Sequence, residues 1–189
     1  MTDPTLHSPT LHYPLSNSPL YKRTEVGVIP EEWEVVQFGE VVSIRNQKVL
    51  PKEVDADTIC IELEHIGQGN GRITGYSTSE TSTSTKYRFY KGDVLFGRLR
   101  AYLKKYWYAT FNGICTTEIW PLTPQSEQID NLFLFYIVQT RSFVDAASVV
   151  YGTHMPRTDW GVIGNLPIPL PPLAEQRAHA GVLPDVDPW

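Results

Sequence analysis

Runs of strand-like apolar pattern recur between residues 29 and 121, then give way to a three-and-four spacing, so predicted strands precede predicted helices. In "VIPEEWEVVQFGEVVSI", Pro30, Glu31 and Glu32 predict a turn, and Trp33, Val35 and Phe38 suit a half-buried strand. Gly39 is read as a break before a short helix or strand through Val41, Val42 and Ile44. "TICIELEHI" sets Ile59, Ile61 and Leu63 against Cys60 and Glu62, a strand pattern. The Gly-, Ser- and Thr-rich stretch "GQGNGRITGYSTSETSTSTKY" is too long for a simple connector, and loops of that size are usually functional or mobile. Beyond it, Val94, Leu95 and Phe96 predict a buried strand, "YKGD" and "FNG" predict turns, and Ile114 to Trp120 predict a further strand closed by Pro121.

The period then changes. Leu132, Phe133, Phe135, Tyr136 and Ile137 mark one amphipathic helix with Asp130 as its N-cap. A second short helix is expected from about Ser142 to Gly152, and "TDWGVIGNL" predicts one or two turns capped by Thr158 or Asp159. Strands first and helices after predict an α+β domain, with a twisted, mixed but mainly antiparallel sheet and a few helices.

Composition narrows the class. The chain has 189 residues, 41% of them hydrophobic, enough for one good core and crowded for two domains. No apolar run approaches the ~20 residues of a membrane span, and the first residues lack the basic and apolar regions of a secretory signal, so a cytoplasmic protein is expected. Residues 1–22, with prolines at 4, 9, 14 and 19, are read as a flexible arm. His7 and His12 within it lack the further ligands of a metal centre. Cys60 and Cys115 sit in apolar runs and are read as reduced core thiols.

A net charge of −5 argues mildly against nucleic-acid binding, yet charge is unevenly placed. Between Lys86 and Tyr108, seven basic residues face a single acid, Asp93, and are interleaved with eight aromatic side chains. On a regular strand Arg98 and Arg100 would share a face, presenting two planar, forked donors suited to phosphates or guanine edges. A solvated sheet face balanced by acids elsewhere would have the same composition, so the window makes DNA binding plausible and no more.

Catalytic patterns are missing. "LPPL" lacks the Asn or Asp that a DNA N-methyltransferase tetrapeptide places before its proline pair. In "DTICIELE" Glu64 stands where a metal-dependent nuclease of the Asp…Glu-x-Lys kind needs lysine after Glu62. There is no G-x-S-x-G elbow, and His65 and His154 stand alone. No metal or other cofactor is expected.

Near its end, "NLPIPLPPLAEQR" carries prolines at 167, 169, 171 and 172, which resist helix formation, followed by residues that favour it. Pro172 suits the first helical turn and Glu175 the positive helix N-terminus. Gly181 and Pro184 stop the rod early, after about 15 Å.

Three stretches, G-D-V-L-F-x-R at 92–98, G-T-x-M-P-R at 152–157 and I-P-L-P-P-L-x-E-Q at 168–176, occur in this order after the opening "IPEEWEVVQFGEVV". On these residues the chain resembles the specificity subunit of type I restriction–modification enzymes over roughly residues 25–177. The resemblance implies a non-catalytic target-recognition domain at 23–172 that reads one half of a split DNA sequence. It further implies a truncated spacer helix and tail at 173–189. The implied partners are double-stranded DNA, adenine-methylating modification subunits, the restriction subunit of the full complex, and a second specificity half or second copy. The implied DNA contacts are Arg72 and Thr74 in the polar loop, Lys86 and Arg88 at its exit, and Arg98, Arg100, Tyr102, Lys104 and Lys105 on the basic strands. Gly152, Thr153, His154 and Arg157 complete them, while Leu170, Leu173, Glu175 and Gln176 are assigned to partner docking and the spacer helix. The competing expectation is an assembly half-subunit that pairs with another specificity half without strong DNA binding of its own.

Overall fold

The structure, a computed structural model, describes residues 20–149 and 155–180. The expectations placed on Gly152, Thr153 and His154, on residues 1–19 and on 181–189 lie outside the described residues.

The chain starts with a hairpin of β1 (Tyr21–Thr24) and β2 (Gly27–Pro30), so Tyr21 and Lys22, read as the end of the arm, are in a strand. The predicted turn after Pro30 closes through Trp33 N–H to Pro30 O, 3.1 Å, and leads into β3 (Glu34–Gln37). Here the reading of Phe38 and Gly39 is corrected. Phe38 opens a one-turn helix, α1 (Phe38–Val41), and Gly39 lies inside it. A Cβ on Gly39 would stand 3.0 Å from the Gly164 backbone, so this glycine permits a close helix–helix approach where a break was expected.

The sheets form two layers. Strands β4 (Val42–Ile44), β9 (Val94–Gly97), β10 (Tyr106–Tyr108) and β12 (Ile119–Pro124) make an antiparallel sheet in the order β10-β9-β12-β4. Strands β5 (Lys48–Val49), β6 (Ile59–Ile61), β7 (Ser77–Thr78), β8 (Lys86–Phe89) and β11 (Gly113–Thr116) make a second, in the order β5-β8-β11-β6-β7. Only its β11–β6 pair is parallel. The single strand expected from Ile114 to Trp120 is therefore two, one in each sheet. Pro121 does not close it either; it sits within β12, where its missing N–H falls just past the end of β4, and its carbonyl accepts from Arg45 N–H at 2.8 Å.

Helices α2 (Asn131–Ile137), α3 (Arg141–Ala147) and α4 (Trp160–Gly164) follow. Asp130 caps α2 by accepting from Leu132 N–H, as the pattern predicts, and Asp159, of the two candidates, caps α4 through Gly161 N–H. The second helix starts at Arg141 under a Thr140 cap and ends at Ala147, short of the expected Gly152. Strand β13 (Pro167–Leu170) pairs with β3 and delivers the chain to α5 (Leu173–Ala180).

Period two along β9 explains the layering. Val94 and Phe96 join Phe38, Leu122, Phe133, Leu134 and Phe143 in a core beneath the helices. Leu95 points the other way, into a second core with Ile61, Phe89, Trp107, Cys115 and Ile119 between the two sheets. Phe143 meets Phe96 and Phe38 edge-on at 5.1 and 5.2 Å, contacts worth about 0.5–1.5 kcal/mol each beyond burial. Cys60 and Cys115 are both buried and unbridged, and they lie in different cores. Burial pushes the Cys60 thiol up to about 11.

Candidate nucleic-acid interface

The signature residues around Gly92 build the fold. Gly92 has φ +95°, and its carbonyl accepts from Asn131 Nδ2. Asp93 is buried and takes two bonds from Arg45, at 2.8 and 3.0 Å, and one from Tyr90 N–H at 2.9 Å. Five residues on, Arg98 turns its guanidinium over the Trp120 ring, 5.1 Å from the centroid, with Nη2 3.4 Å from Thr158 O. The expectation that Arg98 and Arg100 share a face is therefore corrected. β9 ends at Gly97, Arg98 folds back onto the β12 side, and only Arg100 is exposed. The backbone of Arg98 also pairs across to Thr158, whose N–H donates to Arg98 O at 2.9 Å.

Two further candidates are neutralised or enclosed. Lys86 is 2% exposed and pairs with Glu62, which follows β6, two strands across the sheet from β8. Lys105 is half-buried, and its amine donates to the carbonyls of Leu63 and Ile66, so it fastens the root of the polar loop. That burial lowers its pKa from the ordinary lysine value. Neither amine is free to meet a phosphate. Arg157 is exposed, but it makes a fork of bonds to Glu118 between 2.7 and 3.0 Å, which raises its pKa and offsets its charge.

What remains forms one cluster. The chain turns between Arg100 and Lys104 through a short 3-10 segment, Ala101–Leu103, and both flanking residues are left-handed, with φ 54° and 53°. Left-handed backbone on a side chain of this size costs roughly 1–2 kcal/mol per residue, and such strain concentrates at functional sites. Tyr102 is 54% exposed at the tip. The polar loop lies against this turn: Gly69 N–H donates to Lys104 O at 2.9 Å, and Gln68 bridges Lys105. Within the loop Arg72 and Thr74 are exposed, and the Ile66–Ile73 bridge with the bond from Thr74 N–H to His65 O, 2.7 Å, gives the stretch a defined shape. The loop is thus ordered by its neighbours, and its later part supplies β7 and the 3-10 turn Ser79–Thr81.

Tyr76, 51% exposed, stands further along the same loop and was missed in the sequence, where one tyrosine among serines and threonines carries no periodic signal. The side chains of Arg72, Tyr76, Arg100, Tyr102 and Lys104 make no hydrogen bond or ion pair among the described residues. Arg88 is half-buried on β8, likewise without a side-chain partner, on the face it shares with Lys86. The arrangement offers forked and point-charge donors beside phenol rings on a shaped loop, which is chemistry for phosphates and base edges.

The residues assigned to docking are mostly consumed by the domain itself. Leu170 is 5% exposed in the main core, and Gln176 is fully buried. Glu175 accepts from the Trp33 indole N–H at 2.8 Å. Leu173 is half-buried beside Pro171, Pro172 and Glu32. A docking role for Leu170 and Gln176 is therefore corrected, since both face inward, while Leu173, Glu175 and Gln176 lie on α5 as assigned.

Among the described residues no group of three or more His, Cys, Asp or Glu side chains is placed to hold a metal ion, and no helix is long and apolar enough to cross a membrane. The family model of the type I restriction modification DNA specificity domain matches residues 30–188. The chain is 32% identical over 160 residues to the EcoDI specificity subunit of a type I restriction enzyme from Escherichia coli, covering 83% of this chain and 35% of that protein. It is 28% identical over 181 residues to the MjaVIII specificity subunit from Methanocaldococcus jannaschii, covering 88% of this chain and 42% of the other. The crystal structure of the HsdS subunit from Thermoanaerobacter tengcongensis superposes with a TM-score of 0.70 at 26% identity, over 81% of this chain and 41% of that one. The chain thus spans about two fifths or less of the length of these relatives. With a match that runs from the second strand through the last helix, this chain belongs to the family of type I restriction modification DNA specificity domains.

Proposed function

We propose that this chain is a non-catalytic DNA-reading half of a type I restriction–modification specificity subunit. It reads one part of a bipartite target and docks an adenine-methylating modification subunit, and through it joins the restriction subunit in the full complex. The observation that carries the reading is a set of exposed side chains without partners, Arg100, Tyr102 and Lys104 on a turn held in left-handed backbone and Arg72 and Tyr76 on the loop that lies against it. A surface that leaves these cations unpaired, while Lys86 and Arg157 are paired with Glu62 and Glu118, is suited to an anionic partner. Arg72, Thr74, Arg100, Tyr102 and Lys104 stay as proposed contacts, with Tyr76 added and Arg88 at the margin.

The test is fluorescence anisotropy on duplex DNA at low and rising salt, with the chain alone and with its modification subunit. Binding that weakens steeply with salt and favours one short half-site supports the reading. Absence of binding under both conditions at low salt overturns it. Mapping methylated adenines in the co-expressed complex then identifies the half-site. The second reading is an assembly half that pairs with another specificity half without strong DNA binding of its own. Light scattering after size-exclusion chromatography distinguishes it, since it demands a dimer with no specific duplex affinity.

A further inference from the structure

Three consecutive residues in α5 fasten it to two parts of the domain, the turn before β3 and the entry to α2. Glu175 accepts the Trp33 indole N–H, 2.8 Å away, from the turn between β2 and β3. Gln176 is 0% exposed and uses both ends of its amide. Its Oε1 accepts from Asp130 N–H at 2.9 Å, and its Nε2 donates to Gln128 O and Pro171 O, each at 2.8 Å. Arg177 reaches Asp130, whose carboxylate already caps α2, at 3.7 Å. The first turn of α5 is closed by Gln176 N–H to Pro172 O at 3.1 Å and Glu175 N–H to Pro172 O at 2.9 Å.

A fully buried, fully bonded amide is an uncommon choice for fixing a helix to a core. An apolar side chain would supply burial without direction, whereas an amide held at three points defines one orientation, since any rotation of the helix leaves buried donors or acceptors unmet. The lead-in is equally constrained. β13 pairs with β3 in register Ile168–Val36 and Leu170–Glu34, and Pro171 and Pro172 fix φ over the two residues before the helix. The chain therefore enters α5 from a held strand, through two stiff residues, into a three-residue clasp.

We infer that Trp33, Glu175 and Gln176 are positioning residues that set the exit direction of α5 relative to the domain, with Gln176 as the pivot. Whatever follows α5, or packs on it, is carried at a defined angle to the cluster around Arg100 and Lys104. The consequence for reading a split target rests on the proposed function. The rigidity itself does not, and it is measurable without DNA.

The experiment is pulsed electron–electron resonance on the full chain, spin-labelled through Lys52→Cys in the domain and Ala178→Cys on α5. Both positions are exposed, and the native Cys60 and Cys115 are buried and so resist labelling. The expected result is one narrow distance distribution in the labelled parent. In Gln176→Ala the distribution broadens at least twofold, while near-ultraviolet circular dichroism shows the domain still packed. Trp33→Phe keeps an aromatic side chain but loses the indole N–H, and Glu175→Ala loses the acceptor; both broaden less. Glu175→Gln keeps an acceptor and restores the narrow distribution. A broad distribution in the parent overturns the inference, as does an unbroadened one in Gln176→Ala. Should Gln176→Ala lose its packed core, Trp33→Phe and the Glu175 pair decide: equal widths for Glu175→Ala and Glu175→Gln overturn it. Duplex binding measured in parallel keeps the two claims apart, because a lost clasp leaves half-site affinity within about twofold, whereas failure of the reading head abolishes it in the parent.

Discussion

The turn at Arg100–Lys104 and the clasp at Glu175–Arg177 treat polar side chains in opposite ways. In the clasp every amide atom of Gln176 is bonded inside the protein, and the carboxylate of Glu175 is bound to an indole. In the turn, cationic and phenolic groups are left to solvent, on a backbone bent into left-handed conformations at two non-glycine residues. Satisfied and buried polar groups specify a geometry, while unsatisfied and exposed ones are free to meet something else. One region is closed on its own chain; the other leaves its polar groups exposed.

This contrast can be broken from either side. The largest effect is expected at a third place that the sequence groups with the turn but the structure groups with the clasp. Glu62→Gln deprives the buried Lys86 ammonium of its counter-charge and should cost about 3 kcal/mol in urea unfolding, because breaking a buried pair strands the remaining ion. Its DNA salt dependence should be unchanged; a steeper salt slope would return Lys86 to the interface.

Next is Trp33→Phe, which should cost about 1.5–3 kcal/mol, the worth of a hydrogen bond to a charged group, with duplex affinity retained. The turn should behave inversely. Lys104→Gly removes a cation and relieves the left-handed residue, so the protein should gain about 1 kcal/mol while duplex binding weakens and its salt slope falls by about one. A variant that is both more stable and equally tight would show that the strain serves no binding role. Arg100→Ala, exposed and unpaired, should weaken binding while stability falls within about 0.5 kcal/mol.

The smallest effect concerns pH. The Cys60 thiol is held protonated in the folded state, up to about 11, against an ordinary value near 9. Between those values the folded state keeps a proton that the unfolded state has lost, so stability is full below pH 9 and declines as pH rises towards 11. Equilibrium unfolding across that window, with a thiol reagent that should label neither cysteine at pH 8, checks it.

Much of the fold could be read from local pattern. The helix under Asp130, the turn at Pro30, the Asp159 cap and the buried run Val94–Phe96 depend on nearest neighbours along the chain, whose periodicity and capping chemistry are written in order. Residues whose meaning depends on distant strands could not be read this way. Gly39 is a breaker by propensity and a contact point by packing, since only the tertiary fold brings Gly164 to it. Pro121 ends strands in general but sits within β12, because the strand beside it stops one residue short.

The site divides along the same line. The order and spacing of the signature stretches identify the family, because spacing survives without coordinates. Which cations are free is a matter of partners. Lys86 met Glu62, Lys105 met two carbonyls, Arg157 met Glu118 and Arg98 met Trp120, each across dozens of residues. The sequence by itself determined the class of the chain, the order of its elements and the presence of a concentrated positive region. Tertiary structure decided which of those charges remain available and that the proline-rich exit ends in a clasp, because charge is additive along a chain while pairing exists only between groups that folding brings together.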